Sequence, residues 1–334
     1  MIRLPFEHHP GVHCGSTAVA DALRAAGVEA SEPMAFGLGA GLGFYALAAP
    51  ALTPSHLVIG RSAALERTAC ESLGVPCVER TADGAATAWS GVREAVDRGI
   101  APVLSTDLAE LPYWRTRTRF GGHRVVLAGY DLDRGVALLA DTDRPGLEEV
   151  ALDVLDRARA SVAPPLGAAG RPWLEIGPRG PARPLAEAIP DALRRQTTEM
   201  LLDPSGVAGV SALERFAAEL PAWHAQANDE ADRRRCFRFA YQCIEVRGTG
   251  GGLFRGLYAR FLREAEVVLP GLAALGLAER MEGLAAAWSR LADGLRATGD
   301  RTAAGVPPEV IAQARALAAD ERRFFEDLAA RGPR

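Results

Sequence analysis

Small and apolar residues recur at helical spacing over residues 15–26, with Gly27 as a C-terminal stop, which predicts a buried helix directly after Cys14. Short apolar runs then alternate with helical stretches. Strands are predicted at 57–60, 76–79 and 101–105, and helices at 62–73 and 87–99. Two further apolar runs, 122–130 and 136–141, flank Asp131-Leu132-Asp133-Arg134-Gly135, a hairpin signal. Pairing Tyr130 with Val136 sets Val125 opposite Asp141 and His123 opposite Asp143 on one face. Between these elements, residues 31–44 carry glycine at 37, 39, 41 and 43, which predicts a loop or irregular strand whose backbone approaches another group closely. Proline and glycine accumulate over 161–190 around a short strand at Trp173-Leu174-Glu175-Ile176. Beyond that the period becomes helical at 191–202, 210–227, 229–247, 253–269, 279–297 and 308–330. The expected architecture is α+β: an N-terminal domain over 1–160, a connecting segment over 161–190, and an α-helical bundle domain over 191–334.

Composition narrows the chemistry. A chain of 334 residues with 48% hydrophobic content can bury two sizeable cores, and a formal charge of −4 gives no general basic excess for nucleic acid. All 38 basic residues are Arg, so neither a P-loop lysine nor a Schiff-base lysine is available. The five cysteines form no CxxC pair, no charged n-region followed by an apolar run opens the chain, and no apolar run is long enough for a membrane span. A cytoplasmic protein without a membrane or nucleic-acid partner is expected.

Cys14 opens a helix, where unpaired N–H groups and a partial positive charge favour the thiolate and can hold an oxyanion. His123 and Asp141 fall on the predicted hairpin, near enough for imidazole and carboxylate to meet, with Asp143 as the alternative carboxylate. A nucleophile, base and orienter for acyl transfer follow, with the Cys14 amide and His8 as oxyanion donors. The competing reading is a buried structural cysteine beside ordinary turn residues. Cys70, Cys77, Cys236 and Cys243 are assigned to packing.

The spacing G-x-G-x-G-x-G is not that of a dinucleotide-binding loop, so Phe36, Gly37 and Gly39 are candidates for a tight crossing or for direct substrate contact. Glu32 can attract an amine or serve a helix terminus. In the second half, Glu245, Arg247, Thr249 and Arg255 surround a glycine-rich turn between helices. They can bind a phosphate or carboxylate, such as that of a pantetheine arm, or simply close the turn. Arg233, Arg234 and Arg235 are either a docking patch for an acidic carrier or a solvated helix face. His8, His9 and His13 lack a matching metal-ligand set, and no metal or bound cofactor is expected.

The segments His13-Cys14-Gly15-Ser16, Ser31-Glu32 through Gly43-Phe44, and His123 through Asp131 together resemble the butirosin-biosynthesis protein H family of acyltransferases. Glu245-Val246-Arg247-Gly248-Thr249-Gly250-Gly251 looks like the helical domain of unknown function that accompanies it, so the resemblance covers nearly the whole chain. It implies a papain-like N-terminal domain with Cys14, His123 and Asp141 as nucleophile, base and orienter. At the position where many papain-like enzymes carry a glutamine, this chain has His8. The resemblance further implies transfer of an acyl group from the phosphopantetheine thioester of an acyl carrier protein to a small amine in natural-product assembly. The alternatives are a hydrolase (peptidase, amidase or thioesterase) using the same trio, and a catalytically silent protein that binds a carrier.

Overall fold

The N-terminal half runs β1 (Ile2–Arg3), α1 (Cys14–Ala25), α2 (Glu32–Leu38), β2 (Leu42–Ala48), β3 (His56–Arg61), α3 (Leu65–Ser72), β4 (Cys77–Arg80), α4 (Ala85–Asp97), β5 (Val103–Asp107), β6 (Gly121–Asp131), β7 (Val136–Ala140), β8 (Leu147–Ala151), α5 (Leu152–Ala160) and β9 (Trp173–Ile176). Helices α6 (Leu185–Leu201), α7 (Gly209–Glu219), α8 (Trp223–Gln226), α9 (Glu230–Glu245), α10 (Arg255–Val268), α11 (Leu277–Asp300) and α12 (Pro308–Arg331) follow. This computed structural model describes residues 1–177, 180–203, 205–301 and 305–333. The fold class is α+β, and the chain forms two compact units, Met1–Ala35 with Glu66–Pro184 and Phe36–Leu65 with Leu185–Arg334.

In the first unit an antiparallel sheet has the order β4-β9-β5-β6-β7-β8, with β1 added to β6. β6 is its centre. Val125, Val126, Leu127 and Ala128 are all buried, which is why this strand reads as an unbroken apolar run rather than an alternating one. Helices α1 and α4 pack on β6, and α5 on β5. At the turn the hairpin pairs Asp131 with Val136 and Tyr130 with Ala137, one residue off the expected register. An irregularity between Leu127 and Gly129 absorbs that residue, so Val126 faces Ala140 and Asp141 emerges where the sequence placed it, level with Val125. Gly129 is required there: a Cβ would lie 2.3 Å from the Ile2 carbonyl oxygen of β1.

Three expectations are corrected. Residues 31–44 form helix α2 and the start of β2, because the glycines mark close helix contacts rather than an extended run; a Cβ on Gly37 would meet the Phe261 ring at 2.0 Å. Residues 161–190 are not a separate connector. Trp173–Ile176 inserts as β9 between β4 and β5, and the first unit extends to Pro184. Finally, the unit containing the C-terminal helices is not purely helical. It includes the antiparallel β2–β3 ribbon, and the side-chain amide of Gln196 in α6 pairs with both backbone groups of Leu42 at 2.9 and 3.0 Å.

At the centre of the second unit lies an ion pair without solvent access. Arg255 donates to Glu321 through Nε at 2.7 Å and Nη2 at 2.8 Å, both side chains are 0% exposed, and Trp288 Nε1 donates to the same carboxylate at 2.5 Å. The remaining Arg255 donor reaches the carbonyls of Leu253 and Gly43 at 2.8 and 3.3 Å. Glu321→Ala would leave a guanidinium and an indole N–H unpaired in the core. An urea titration should register a loss of at least ~3 kcal/mol, with Glu321→Gln retaining part of it because one acceptor oxygen survives. An Ala variant as stable as the parent would remove this pair from the account.

Candidate active site

Helix α1 starts at Cys14, and the geometry around its first turn fixes that start. His13 is the N-cap, its Nδ1 accepting the Ser16 amide at 3.2 Å. Glu32, at the head of α2, accepts the amides of Val12 at 3.0 Å and His13 at 2.8 Å together with the hydroxyls of Ser16 and Thr17 at 3.1 and 3.2 Å. One carboxylate thereby satisfies backbone donors just ahead of the helix and complements its positive end. Gly15 leaves room for this arrangement: a Cβ would stand 2.9 Å from His13 Cε1 and 3.1 Å from Glu66 Oε1. Cys14 itself is half-buried.

From β6, His123 places Nε2 at 2.8 and 2.9 Å from the two oxygens of Asp141, and its ring also hydrogen-bonds Cys14. Asp141 is an acceptor only, so Nε2 carries a hydrogen and Nδ1 is the nitrogen left to exchange a proton with sulfur. Burial alone would drive the fully enclosed imidazole neutral. The Asp141 carboxylate and the Cys14 sulfur outweigh burial, and the His123 pKa is pushed up to about 10. Asp141 responds in the opposite sense: burial works to raise it, but His123, Trp114 and Tyr113 hold it below the usual carboxylate range. Asp143, the alternative, has a side chain 56% exposed and ion-paired with Arg144.

The sequence reading missed what holds Asp141. Tyr113 Oη and Trp114 Nε1 donate to Oδ2 at 2.7 and 2.8 Å, and Thr142 Oγ1 donates to Oδ1 at 2.9 Å. Tyr113 and Trp114 sit in a single 3-10 turn after β5, with Pro112 at its start. Burial and the neighbouring carboxylate push the Tyr113 phenol up, so it remains a donor. The Trp114 ring stands edge-on to His123 with centroids 5.6 Å apart, and the Arg144 guanidinium covers it at 4.4 Å. Thr142 adopts φ +26°, an uncommon conformation for a β-branched residue, and its carbonyl accepts the Gly11 amide at 2.7 Å. That bond ties the segment before Cys14 to the segment carrying Asp141. The available sequence signal was an adjacent pair of aromatic residues with polar donors following a buried strand.

His8 is also a tether, which corrects its assignment as an oxyanion donor. Its Nδ1 meets Asp21 at 2.6 Å and its Nε2 meets the Arg144 carbonyl at 3.0 Å, so both ring nitrogens are occupied. Burial opposes its charge, but Asp21 and the Arg144 carbonyl raise the pKa overall. Glu32 likewise has its oxygens committed to the protein, which corrects the amine-binding reading.

The other candidates lie in the second unit, each with a structural task. Phe36 is fully buried and stacks on Phe254 at 5.6 Å, Gly37 abuts Phe261, and Gly39 is buried in the turn after α2. Thr249 Oγ1 donates to the Ile244 carbonyl at 2.7 Å, and Glu245 accepts from Gly252 N at 3.1 Å and Ser289 Oγ at 2.8 Å. Arg255 is consumed by Glu321, and Arg247 lies over Phe239 at 4.5 Å while donating to Gln242. The glycines of this turn are needed for backbone conformation, with φ of +67° at Gly248, +69° at Gly250, +83° at Gly251 and +57° at Gly252. Arg233 is buried against Glu230 and two carbonyls, Arg234 shares Glu230, and Arg235 faces Asp232. Arg234 and Arg235 lie on an exposed helix face, whereas Arg233 does not, so the run is only in part a solvated face.

Among the described residues, no helix is long and apolar enough to cross a membrane. No curated protein matches the chain. Residues 13–142 match the family model described as butirosin biosynthesis protein H, N-terminal, and residues 153–328 match the one described as domain of unknown function (DUF4872). The first match agrees with the resemblance carried by the Cys14, glycine-rich and His123 segments and the second with that carried by residues 245–251, and the chain therefore belongs to the family that joins a butirosin-biosynthesis protein H N-terminal domain to this domain of unknown function.

Proposed function

We propose that the protein is a cysteine-dependent acyltransferase that takes an acyl group from a phosphopantetheine thioester on an acyl carrier protein and delivers it to a small amine. The reading rests on one observation above all: His123 bridges a half-buried thiol at a helix start and a buried carboxylate. The match to a family model named for butirosin biosynthesis supports this reading, since amide formation from activated acyl groups is a suitable reaction class for antibiotic assembly.

In this mechanism Cys14 is a thiolate paired with imidazolium His123. Sulfur attacks the thioester carbonyl, and the Cys14 backbone N–H at the start of α1 is the donor to the developing negative charge on oxygen. Collapse breaks the carbon–sulfur bond to phosphopantetheine, whose leaving thiolate takes the proton from His123. The acyl-enzyme is then attacked by the amine nitrogen, neutral His123 removes its proton, and Cys14 leaves as thiolate, restoring the ion pair. Asp141 keeps the ring oriented and stabilises its cationic form throughout.

Exposure of the protein to a panel of acyl thioesters, followed by intact-mass measurement, should give an acyl adduct that is absent from Cys14→Ala. Adding amines should discharge it with formation of amide. Hydrolysis equally fast with and without amine would sink the transferase reading in favour of a thioesterase, and an unlabelled but folded wild type would favour the silent carrier-binding alternative.

The pH dependence has a defined sign. Because the folded-state pKa of His123 is raised to about 10, the imidazolium persists above its ordinary value of 6.5 and is lost as pH rises through the raised one. Acylation rates should accordingly hold through pH 8, and Asp141→Asn should shift the alkaline limb to lower pH. An unshifted limb in that variant would contradict the assigned coupling.

Tyr113→Phe removes one positioning hydrogen bond without touching substrate. Its expected effect is a fall in kcat of about tenfold, the equivalent of ~1.4 kcal/mol, with KM nearly unchanged. A KM effect alone would assign Tyr113 to substrate binding.

A further inference from the structure

Away from Cys14, the first unit holds two thiols in contact. Cys70 lies in α3 and Cys77 opens β4, and their side chains are hydrogen-bonded to each other. The chain between them enforces the approach: α3 stops at Ser72, Gly74 takes φ +65°, and the Val75 amide closes onto the Cys70 carbonyl at 2.9 Å. Cys77 follows this turn as the first residue of β4, where it pairs with Ile176 of β9. Cys70 is fully buried, whereas Cys77 is half-buried and reachable from solvent. The two are also electronically unlike. Its hydrogen bond to Cys77 and its burial push Cys70 up, while the bond from Cys70 and the nearby Arg67 hold Cys77 below the usual thiol range.

We propose that Cys70 and Cys77 are an oxidation site, a dithiol that a hydroperoxide converts to a disulfide joining α3 to β4. The Cys77 thiolate attacks one peroxide oxygen, the O–O bond breaks, and the departing hydroxide is protonated to water, leaving Cys77 as a sulfenic acid. Cys70 sulfur then attacks the Cys77 sulfur, its proton goes to the departing hydroxyl, and a second water leaves. Two thiols are oxidised by two electrons in total, and one hydrogen peroxide is reduced to two waters. The helix that becomes anchored is the one whose Glu66, a turn before Cys70, ion-pairs with Arg124 at 3.3 Å and flanks Gly15. The inference is independent of the acyltransferase reading.

The chain has no lysine, and Arg67 and Arg80 bracket both cysteines, so trypsin releases them on one peptide, 68–80. In a Cys14→Ser protein treated with dilute hydrogen peroxide, alkylated and digested without reductant, that peptide should lose two hydrogens, about 2 Da, and resist alkylation until reduced. The loss should form severalfold faster in the folded protein than in urea, and should vanish in Cys77→Ser. In Cys70→Ser, Cys77 should instead gain oxygen. Gain of oxygen without a crosslink in the peptide with both cysteines, no reaction in the folded state, or equal rates folded and unfolded would each overturn the proposal.

Discussion

A carboxylate with almost no access to water sets the terms for the first unit. Asp141 is 1% exposed, and an uncompensated charge there would be costly enough to drive it to its neutral form. It remains charged because His123, Tyr113, Trp114 and Thr142 all donate to it. Those donors arrive from β6, from the turn after β5, and from the residue next to it. Satisfying one charge therefore brings three stretches of chain to a common point. The Thr142 carbonyl binding Gly11 adds the segment ahead of Cys14 to the same construction.

Carboxylates repeat this organising role elsewhere, and the chain's exclusive use of arginine as a cation suits it. Glu32 gathers backbone and hydroxyl donors before α1, Asp21 links His8 and Arg24, and Glu321 accepts a guanidinium fork and an indole. A planar guanidinium can meet a carboxylate with two parallel hydrogen bonds where a lysine offers a point charge. Buried pairs of this kind do not stabilise a fold more than an apolar core would, but they penalise every arrangement that separates the partners. The second unit uses Arg255 in that way, so a residue with the composition of an anion site is instead an internal tie.

The legible parts of the sequence were those with a local cause. A helix start at Cys14 follows from its periodic small residues, and the Asp131–Gly135 turn announces the hairpin. The register was less secure: the turn pairs one residue away from the expected position, and only a strand irregularity returns Asp141 to its place. Tyr113 and Trp114 show in the sequence only as an adjacent aromatic pair, because their partner Asp141 lies just beyond β7 and nothing in their immediate neighbours encodes that contact. Alternate glycines were misread for the opposite reason. The local pattern suggests extended chain, while the actual requirement is for Phe261 to lie against Gly37 and for Phe36 to lie against Gly41. Similarly, His8, Glu32 and Arg255 are polar residues whose chemistry suits a ligand, yet each is satisfied by protein groups distant in sequence.

The number of donors on Asp141 also bears on how the proton would move. A bare carboxylate beside imidazolium competes for its proton, whereas one already stabilised by a phenol, an indole and a hydroxyl is a weaker base. Such a group can favour positive charge on His123 without taking the proton. In the proposed cycle the imidazole would keep its Nε2 hydrogen and exchange only the Nδ1 proton with sulfur, leaving group and amine. Tyr113 and Trp114 consequently affect two properties at once, the orientation of the ring and the basicity of its partner. Removing either donor strengthens the pull of Asp141 on His123 while loosening its position, which is why the pH limb and kcat need to be read together.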